Sequence, residues 1–556
     1  MRADLFEYRK APELRGQKRR YAVIVVGAGP VGLTAALDLA QRGIDFMLVD
    51  EDQRLSEGSR AICFAKRTLE ILDRLGCGER AVAKGVVWNT GKVFLRERLL
   101  YTFDLLPEGG HKRPAFINLQ QYYLEQFMIE RLRDLGADLR WRNKVVALSA
   151  RADGAAVTVD TPDGRYRADC DYLVVADGAR SPVRHMLGLE TRGQVFRDRF
   201  LITDVRMAAD FPTERWFWFD PPFHPGQSVL LHRQADDVWR IDFQLGWNAD
   251  PEAEKQPERV IPRIQAMLGP QRRFTLEWVS VYTFQCRRME RFRHGRVIFA
   301  GDAAHQVSPF GARGANSGMQ DADNLVWKLD LVLRRRAPEA LLDSYDQERT
   351  AAADENIRHS TRSTDFITPK SAVSRVFRDA TLELARDHEF ARRLVNSGRL
   401  STPTTYRDSP LGTPDRDEFT SACGPGAPAI DAPLSAEGKP GWLIDRLGGE
   451  FLGLYFAGAR PVAPAIAEGL RSIERLPVAV KPLVVCTVDA PQPPFAHCRD
   501  IHGLIAKRLD ARPGTFYLFR PDQHVAGRWR HFEAAAVRGA LARATAAHWA
   551  SEGVAG

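Results

Sequence analysis

The chain has 556 residues, 44% of them hydrophobic, and its net charge of +8 comes from 79 basic against 71 acidic residues spread without a long single-sign block. That balance excludes a polyelectrolyte tail for nucleic acid and leaves a globular protein of several domains with local basic patches. Seven cysteines (63, 77, 170, 286, 423, 486 and 498) include no C-x-x-C pair and no zinc-like spacing, so idle thiols, no metal site and a cytoplasmic location are expected.

Residues 1–20 read as a polar arm without the apolar core of a signal peptide, and no apolar run along the chain approaches membrane-spanning length. Tyr21–Asp50 then supplies a buried strand at Val23–Val26, a turn with Gly27, Gly29 and Gly32, and a helix opening near Pro30 with Leu33, Ala36, Leu37 and Ala40 on one face. A second strand ends at Asp50. The glycines allow a tight turn and close backbone approach to a pyrophosphate at a helix N-terminus, and the carboxylate is placed to accept from a ribose. Asp171–Arg184 is another buried strand that runs into Asp177-Gly178, followed by Arg180 and Arg184.

Between Phe200 and Leu245 the runs FLITDVRM, RWFWFD, SVLLHR and VWRIDFQL alternate like strands and predict an antiparallel sheet with one face free to cover a cofactor. Arg296–Leu329 repeats the strand-into-turn pattern with Gly301-Asp302, and the turn from Pro309 to Gly314 opens a helix through Ala315 and Asn316. Helical spacing continues to about Ser397. Ser401–Pro440 carries seven prolines, which suits an extended strap. Beyond it Leu483–Val488 and Thr515–Phe519 read as strands, a Pro521-Asp522 turn leads to His524–Ala526, and Phe532–Trp549 reads as a helix.

The fingerprint, Asp-Gly and Gly-Asp segments, in that order over roughly the first four hundred residues, resemble the class A flavoprotein monooxygenases that hydroxylate aromatic rings, 3-(3-hydroxyphenyl)propionate hydroxylase among them. The resemblance implies noncovalent FAD as the dinucleotide, NAD(P)H as transient electron donor, and transfer of one oxygen of O₂ to a small phenolic ring through a flavin C4a-hydroperoxide. It places Arg60 at the cofactor's phosphates as a guide for flavin movement, Gln121 near the ribityl chain with Gln120 competing for that role, and Asp302 on a ribityl hydroxyl. Pro309 and the amides of Gly314, Ala315 and Asn316 would face the flavin's pyrimidine edge and stabilise the reduced anion. His305 follows the family pattern as a structural residue.

A base that removes the phenol's proton is expected. His232, Asp242 and Tyr282 lie on the substrate sheet or its edge, and Arg240 could pair with a substrate carboxylate. None of the four sits in a diagnostic motif, and a structural hydrogen bond competes as the explanation of each.

The fold expected is α/β: a Rossmann-like FAD-binding domain in three pieces (21–91, 141–184 and 281–397, the last with a helical extension), an inserted antiparallel substrate sheet (92–140 and 185–280), a proline-rich linker (398–440) and a tail at 441–556. The tail resembles the thioredoxin-like domain of the phenol-hydroxylase branch, and without C-x-x-C its expected role is assembly, as a homodimer. Two alternatives stand beside the hydroxylase. Trp216–Pro221 resembles the W-x-W-x-x-P signature of flavin-dependent halogenases, with Asp220 in place of an apolar residue, and a flavin-binding adaptor would use the tail without chemistry.

Overall fold

The computed structural model describes residues 6–58, 60–395 and 400–547. The first five residues of the expected arm, residues 396–397 of the expected helical run and residues 548–549 of the expected last helix lie outside them. The chain divides into two compact units, one of residues 1–107, 113–322 and 353–402, the other of 108–112, 323–352 and 403–556.

The first unit holds the dinucleotide layer. Arg20–Val26 is its central strand, paired in parallel with Phe46–Val49 on one side and Gly164–Val175 on the other. Val297–Phe299 extends the parallel row beyond Gly164–Val175. Val23, Ile24 and Val25 are fully buried, as a strand covered on both faces requires. The helix Pro30–Gln41 follows at once and turns Leu33, Ala36 and Leu37 inward.

Residues 92–140 divide differently from the expectation. Thr90–Leu95 and Arg98–Asp104 do join the second sheet, but Gln121–Asp134 packs on the helix Pro30–Gln41 and Asp138–Arg140 pairs with Phe46–Val49. The physical reason is the stripe of Leu124, Met128 and Leu132, spaced four apart on one helical face and buried against the dinucleotide layer. Residues 281–289, assigned from the sequence to the cofactor domain, are the end of the long strand Thr275–Met289, which pairs along its length with Thr191–Arg206 in the second sheet.

That second sheet runs His305–Gln306, Thr275–Met289, Thr191–Arg206, Val238–Leu245, Ser228–Arg233, Arg215–Phe219, Thr90–Leu95 and Arg98–Asp104. Along Arg215–Phe219, Ser228–Arg233 and Val238–Leu245 successive side chains alternate between its two faces. One face gathers Leu201, Trp218, Val229, Leu231, Ile241 and Phe243 against Val260 and Ile264 of the helix Pro257–Leu268. Trp216 and Trp218 belong to this packed face, and Trp218 stacks on Phe94 with ring centres 5.1 Å apart. The other face carries the polar residues that matter below.

The second unit is built on a mixed seven-stranded sheet. Phe451–Gly458, the helix Pro464–Glu474 and Val480–Cys486 form a βαβ unit. Phe516–Phe519, Val525–Trp529 and the helix Ala534–Ala544 form the ββα unit that completes a thioredoxin-like arrangement. The sheet begins earlier than expected, because Pro433–Ala436 and Lys439–Trp442 form a hairpin inside the supposed linker. Pro440 is tolerated there because its strand lies at the edge of the sheet. Cys498 faces one core and Cys486 the other across the sheet, so the two neighbouring thiols cannot meet.

The same unit buries an ionic network. Glu348 accepts from Lys328 Nζ at 2.8 Å and from both terminal nitrogens of Arg520 at 2.5 and 3.0 Å, and Arg520 also pairs with Asp522. Burial alone would push the Glu348 carboxyl up, but Arg520 and Lys328 more than reverse it and hold the group well below the usual carboxylate range.

Candidate functional site

The glycines of the fingerprint turn differ in what they allow. Gly27 has a φ of 102°, and a Cβ there would lie 2.4 Å from the carbonyl oxygen of Ala176. A Cβ on Gly32 would lie 1.9 Å from the oxygen of Gly27, so both positions are closed by the protein's own backbone. Gly29 is the opposite case: nothing lies within 4 Å of where its Cβ would be. The open side of the turn is a cradle beside a helix N-terminus, the place where a pyrophosphate is held.

Asp50 closes the turn from below. Its carboxylate accepts from the backbone N–H of Ala28 at 2.6 Å and of Asp52 at 2.8 Å. Burial raises its pKa to about 6 against the effect of those two bonds. At the end of the neighbouring strand Asp177 accepts from the N–H of Val183 at 3.1 Å, while its Oδ1 is buried without a hydrogen-bond partner.

Gly301 and the helix Gly314–Leu333 lock onto this turn. A Cβ on Gly318 would meet Val31 Cγ2 at 2.6 Å and the Cα of Gly301 at 3.0 Å, so the Val31 side chain packs where the backbones of Gly301 and Gly318 meet and no further side chain fits. Asp321 Oδ2 accepts from the N–H of Gly301 at 2.8 Å and lies 2.7 Å from Nε2 of His305, whose ring stacks on Phe292. His305 is therefore placed as a brace behind the Gly301-Asp302 turn. Gly314 is roomy by contrast: its Cβ would be in ordinary contact with Val307 at 3.8 Å and with Asp302 Oδ1 at 4.0 Å.

The approach to that helix is shaped by its own backbone. Gly311 and Ala312 have φ of 93° and 53°, and the N–H of Ala312 closes a turn on the carbonyl of Pro309 at 3.1 Å. A left-handed alanine is costly and persists because its surroundings fix it. Asn316 does that fixing. Its Oδ1 accepts from the N–H of Ala65 at 2.8 Å and from Thr68 Oγ1 at 2.6 Å, and its Nδ2 donates to the carbonyls of Cys63 at 2.8 Å and Ala312 at 2.6 Å. The Asn316 side chain is thus spent on protein, and only its backbone amide is left for the cofactor. The backbone amides of Gly314, Ala315 and Asn316 stand in the first turn, where a helix leaves its N–H groups unpaired.

At the mouth of this arrangement Arg60 and Asp302 both lie near enough to Tyr282 to act on its ionisation. Tyr282 is 46% exposed, yet its phenol is raised by the protein crowded around it and by Asp302, against the effect of Arg60. Asp302 combines solvent exposure with a raised pKa caused chiefly by burial. Both groups thus combine accessible surface with close crowding by neighbouring atoms. Gln121 belongs to the same corner: its Oε1 accepts from the N–H of Ala61 at 3.0 Å. Gln120 turns away to the carbonyl of Ala235.

The polar face of the second sheet covers this corner. Register places Asp204 beside Arg240 and Trp278, Ile202 beside Asp242 and Ser280, and Phe200 beside Tyr282. Trp278 lies over Gly58, and Phe200 and Phe284 pack on Phe310. His232, Asp242 and Tyr282 therefore all stand on the face that meets the cofactor segments. Arg240 is buried there but is held by Asp204 at 2.8 and 3.2 Å and lies over the ring of Trp278, so it is not available to a substrate carboxylate.

Arg215 was missed in the sequence. One step from the Trp216–Leu231 pair, it stands across from His232 on the same face. Its NH1 is buried with no hydrogen-bond partner, and Asp242 Oδ1 is in the same condition. The signal was present in RWFWF, where the arginine alternates with the two packed tryptophans and so must face the other way. His232, buried and facing Arg215 and Arg240, has its pKa well below normal and is neutral. Its Nδ1 lies 4.0 Å from Cys63 Sγ.

A family model described as "FAD binding domain" matches residues 20–360. The chain is 30% identical over 533 residues to 6-methylpretetramide 4-monooxygenase of Streptomyces rimosus, covering 91% of this chain and 90% of that one. It is 29% identical over 475 residues to the 3-(3-hydroxy-phenyl)propionate/3-hydroxycinnamic acid hydroxylase of Klebsiella pneumoniae, covering 82% and 83%. Among solved structures, the flavin-dependent monooxygenase PieE in complex with FAD and substrate shares the fold with a TM-score of 0.79 and 24% identity, over 95% of this chain and 99% of that chain.

Proposed function

Because the chain belongs to the FAD-dependent aromatic monooxygenases, we propose that it hydroxylates a phenolic or related aromatic ring with NAD(P)H and O₂. The residues present fit FAD, since the open cradle at Gly29, the orphaned Asp177 Oδ1 and the roomy helix start at Gly314 each leave space or a missing partner for it. When bound, FAD supplies the redox and oxygen-activating chemistry.

The chain's own residues do the rest. Gly27, Gly29 and Gly32 admit the pyrophosphate to the amides at the start of Pro30–Gln41, and Asp50 and Asp302 accept from the cofactor's sugar hydroxyls. The helix start at Gly314, held by Asn316, presents N–H groups and a positive dipole end to developing negative charge. Arg60 adds an exposed positive charge at the mouth. The second sheet covers the corner with Trp278 and with Phe200 and Phe284 packed on Phe310, which keeps water from the reacting atoms.

The observation that carries this reading is the open cradle at Gly29 beside the buried, unpartnered Oδ1 of Asp177, with the second sheet packed on the cofactor segments through Trp278 at Gly58 and Phe200 at Phe310. The names of the Streptomyces and Klebsiella relatives support an aromatic substrate. The test is a screen of phenols for stimulated NAD(P)H oxidation by the yellow holoprotein, with product mass and isotopically labelled O₂. One labelled oxygen in the ring is the result expected. Turnover that requires halide and a separate reductase assigns a halogenase instead, and no turnover leaves an adaptor.

A further inference from the structure

We propose that Arg215 and Asp242 together receive the hydroxyl of the substrate ring, Asp242 taking its proton and Arg215 holding the resulting phenolate. This rests on the monooxygenase reading above and assigns its proton acceptor.

Arg240, Asp204, Arg215 and Asp242 share the sheet's polar face, and register sorts them unequally. Arg240 is opposite Asp204 and bonded to it. Arg215 and Asp242 lie on the two strands flanking Ser228–Arg233, two residues out of line with each other, which keeps them on the same face. Each is near enough to influence the other's ionisation, yet neither hydrogen-bonds the other, and each keeps a buried atom without a partner. A buried guanidinium nitrogen and a buried carboxylate oxygen left open are costly. What completes both is a group that accepts from one and donates to the other.

Charge selects among such groups. With Arg240 and Asp204 cancelling, His232 neutral, and burial holding the Cys63 thiol up at about 11 and so protonated, Arg215 and Asp242 are formally neutral as a pair. A substrate carboxylate would satisfy Arg215 while adding a second negative charge beside Asp242. A phenol hydroxyl satisfies both with one oxygen and leaves the balance unchanged. Its O–H bond breaks, the proton goes to Asp242 Oδ1, and the electron pair stays on the phenolate oxygen, which accepts from Arg215. Burial raises Asp242 to about 6, against the pull of Arg240 and Arg215 and with Asp204 adding to the rise. The group is thus a better base than an ordinary carboxylate while still ionised at neutral pH. The ring so held lies on the face that meets the Arg60 corner.

The experiment titrates the holoprotein with 4-nitrophenol, whose phenolate band reports ionisation of the bound ring by difference spectroscopy across pH. The parent protein is expected to bind it as the phenolate below its solution pKa. Arg215→Gln should lower the ratio of ionised to protonated bound probe at a given pH by about tenfold, the equivalent of one pKa unit, and Arg215→Lys should restore part of it. Asp242→Asn should instead keep the probe ionised but release its proton to solvent on binding, a release the parent protein does not show because Asp242 takes the proton. FAD content and melting temperature identify variants that fold. A parent protein that leaves 4-nitrophenol unbound or protonated overturns the proposal, as does an ionisation ratio unchanged by Arg215→Gln, or the same proton release on binding in the parent and in Asp242→Asn, in folded holoprotein. Failure of the monooxygenase reading itself looks different: no FAD retained, or no phenol-stimulated NAD(P)H oxidation.

Discussion

Asn316→Ala separates a brace from a cofactor contact. The substitution removes four hydrogen bonds of 2.6 to 2.8 Å, and leaves the N–H of Ala65 and the carbonyls of Cys63 and Ala312 without that partner among groups that are mostly buried. At about 1 kcal/mol for each bond, and more for each buried group orphaned, the loss comes to about 3 to 5 kcal/mol. In a unit of a few hundred residues that is a fall in melting temperature of roughly 5 °C. The assay is thermal unfolding of holoprotein and FAD-stripped protein side by side. The brace predicts a similar fall in both, because the bonds lie within the protein. Full stability of the stripped variant, with the loss confined to holoprotein, would refute the argument and return the side chain to the cofactor.

The two closed glycines and the open one should part company: Gly32→Ala lowers stability of the stripped protein, whereas Gly29→Leu leaves it folded but colourless, as FAD content and circular dichroism will show. Asp242 is raised from 3.8 to about 6 in the fold, so between those values the native state holds the proton more tightly than the unfolded state and stability falls as pH rises, by up to about 3 kcal/mol. Asp242→Asn should flatten that slope, measured as melting temperature at pH 4.5 and 7. In the second unit Glu348→Gln leaves Lys328 and Arg520 buried without their carboxylate and should cost about 3 to 5 kcal/mol in urea unfolding. Its parent carboxyl lies below the usual range, so the stability it contributes is present above pH ~4.5 and is lost as pH falls toward the folded value. Cys486→Ser with Cys498→Ser should leave ring hydroxylation intact, since the thiols face opposite cores; a folded double variant that oxidises NAD(P)H without hydroxylating would contradict this.

What the sequence disclosed follows from how local each feature is. The fingerprint turn was legible because Gly27, Gly29, Gly32 and Asp50 lie within one strand-turn-helix-strand segment whose geometry is set by its own backbone. The four strands between Phe200 and Leu245 were legible by alternation, which also settles that Trp216 and Trp218 face away from Arg215. The helix Gln121–Asp134 and the strand Asp138–Arg140 were misplaced because their partners, Pro30–Gln41 and Phe46–Val49, lie far back in the chain. Asn316 looked like part of a helix start and became a brace only through Cys63–Thr68, some 250 residues away.

The two arginines of the polar face make the limit sharper. Arg215 and Arg240 look alike in the sequence, each a charge set among apolar residues in an alternating strand. Thr191–Arg206 lies directly against Val238–Leu245, so Asp204 comes to rest beside Arg240 and occupies it. Arg215 is two strands further along, between Ser228–Arg233 and Thr90–Leu95, where its cross-strand neighbours are His232 and Gly91 and no carboxylate. Which arginine is spent and which is left for a ligand is therefore fixed by pairing across several strands at once. A one-residue slip of Val238–Leu245 would turn both Arg240 and Asp242 to the apolar side, and the hydrophobic face of Ile241 and Phe243 against Val260 and Ile264 prevents that slip. The packing that hides the outer face is what holds the charged pair on the inner one.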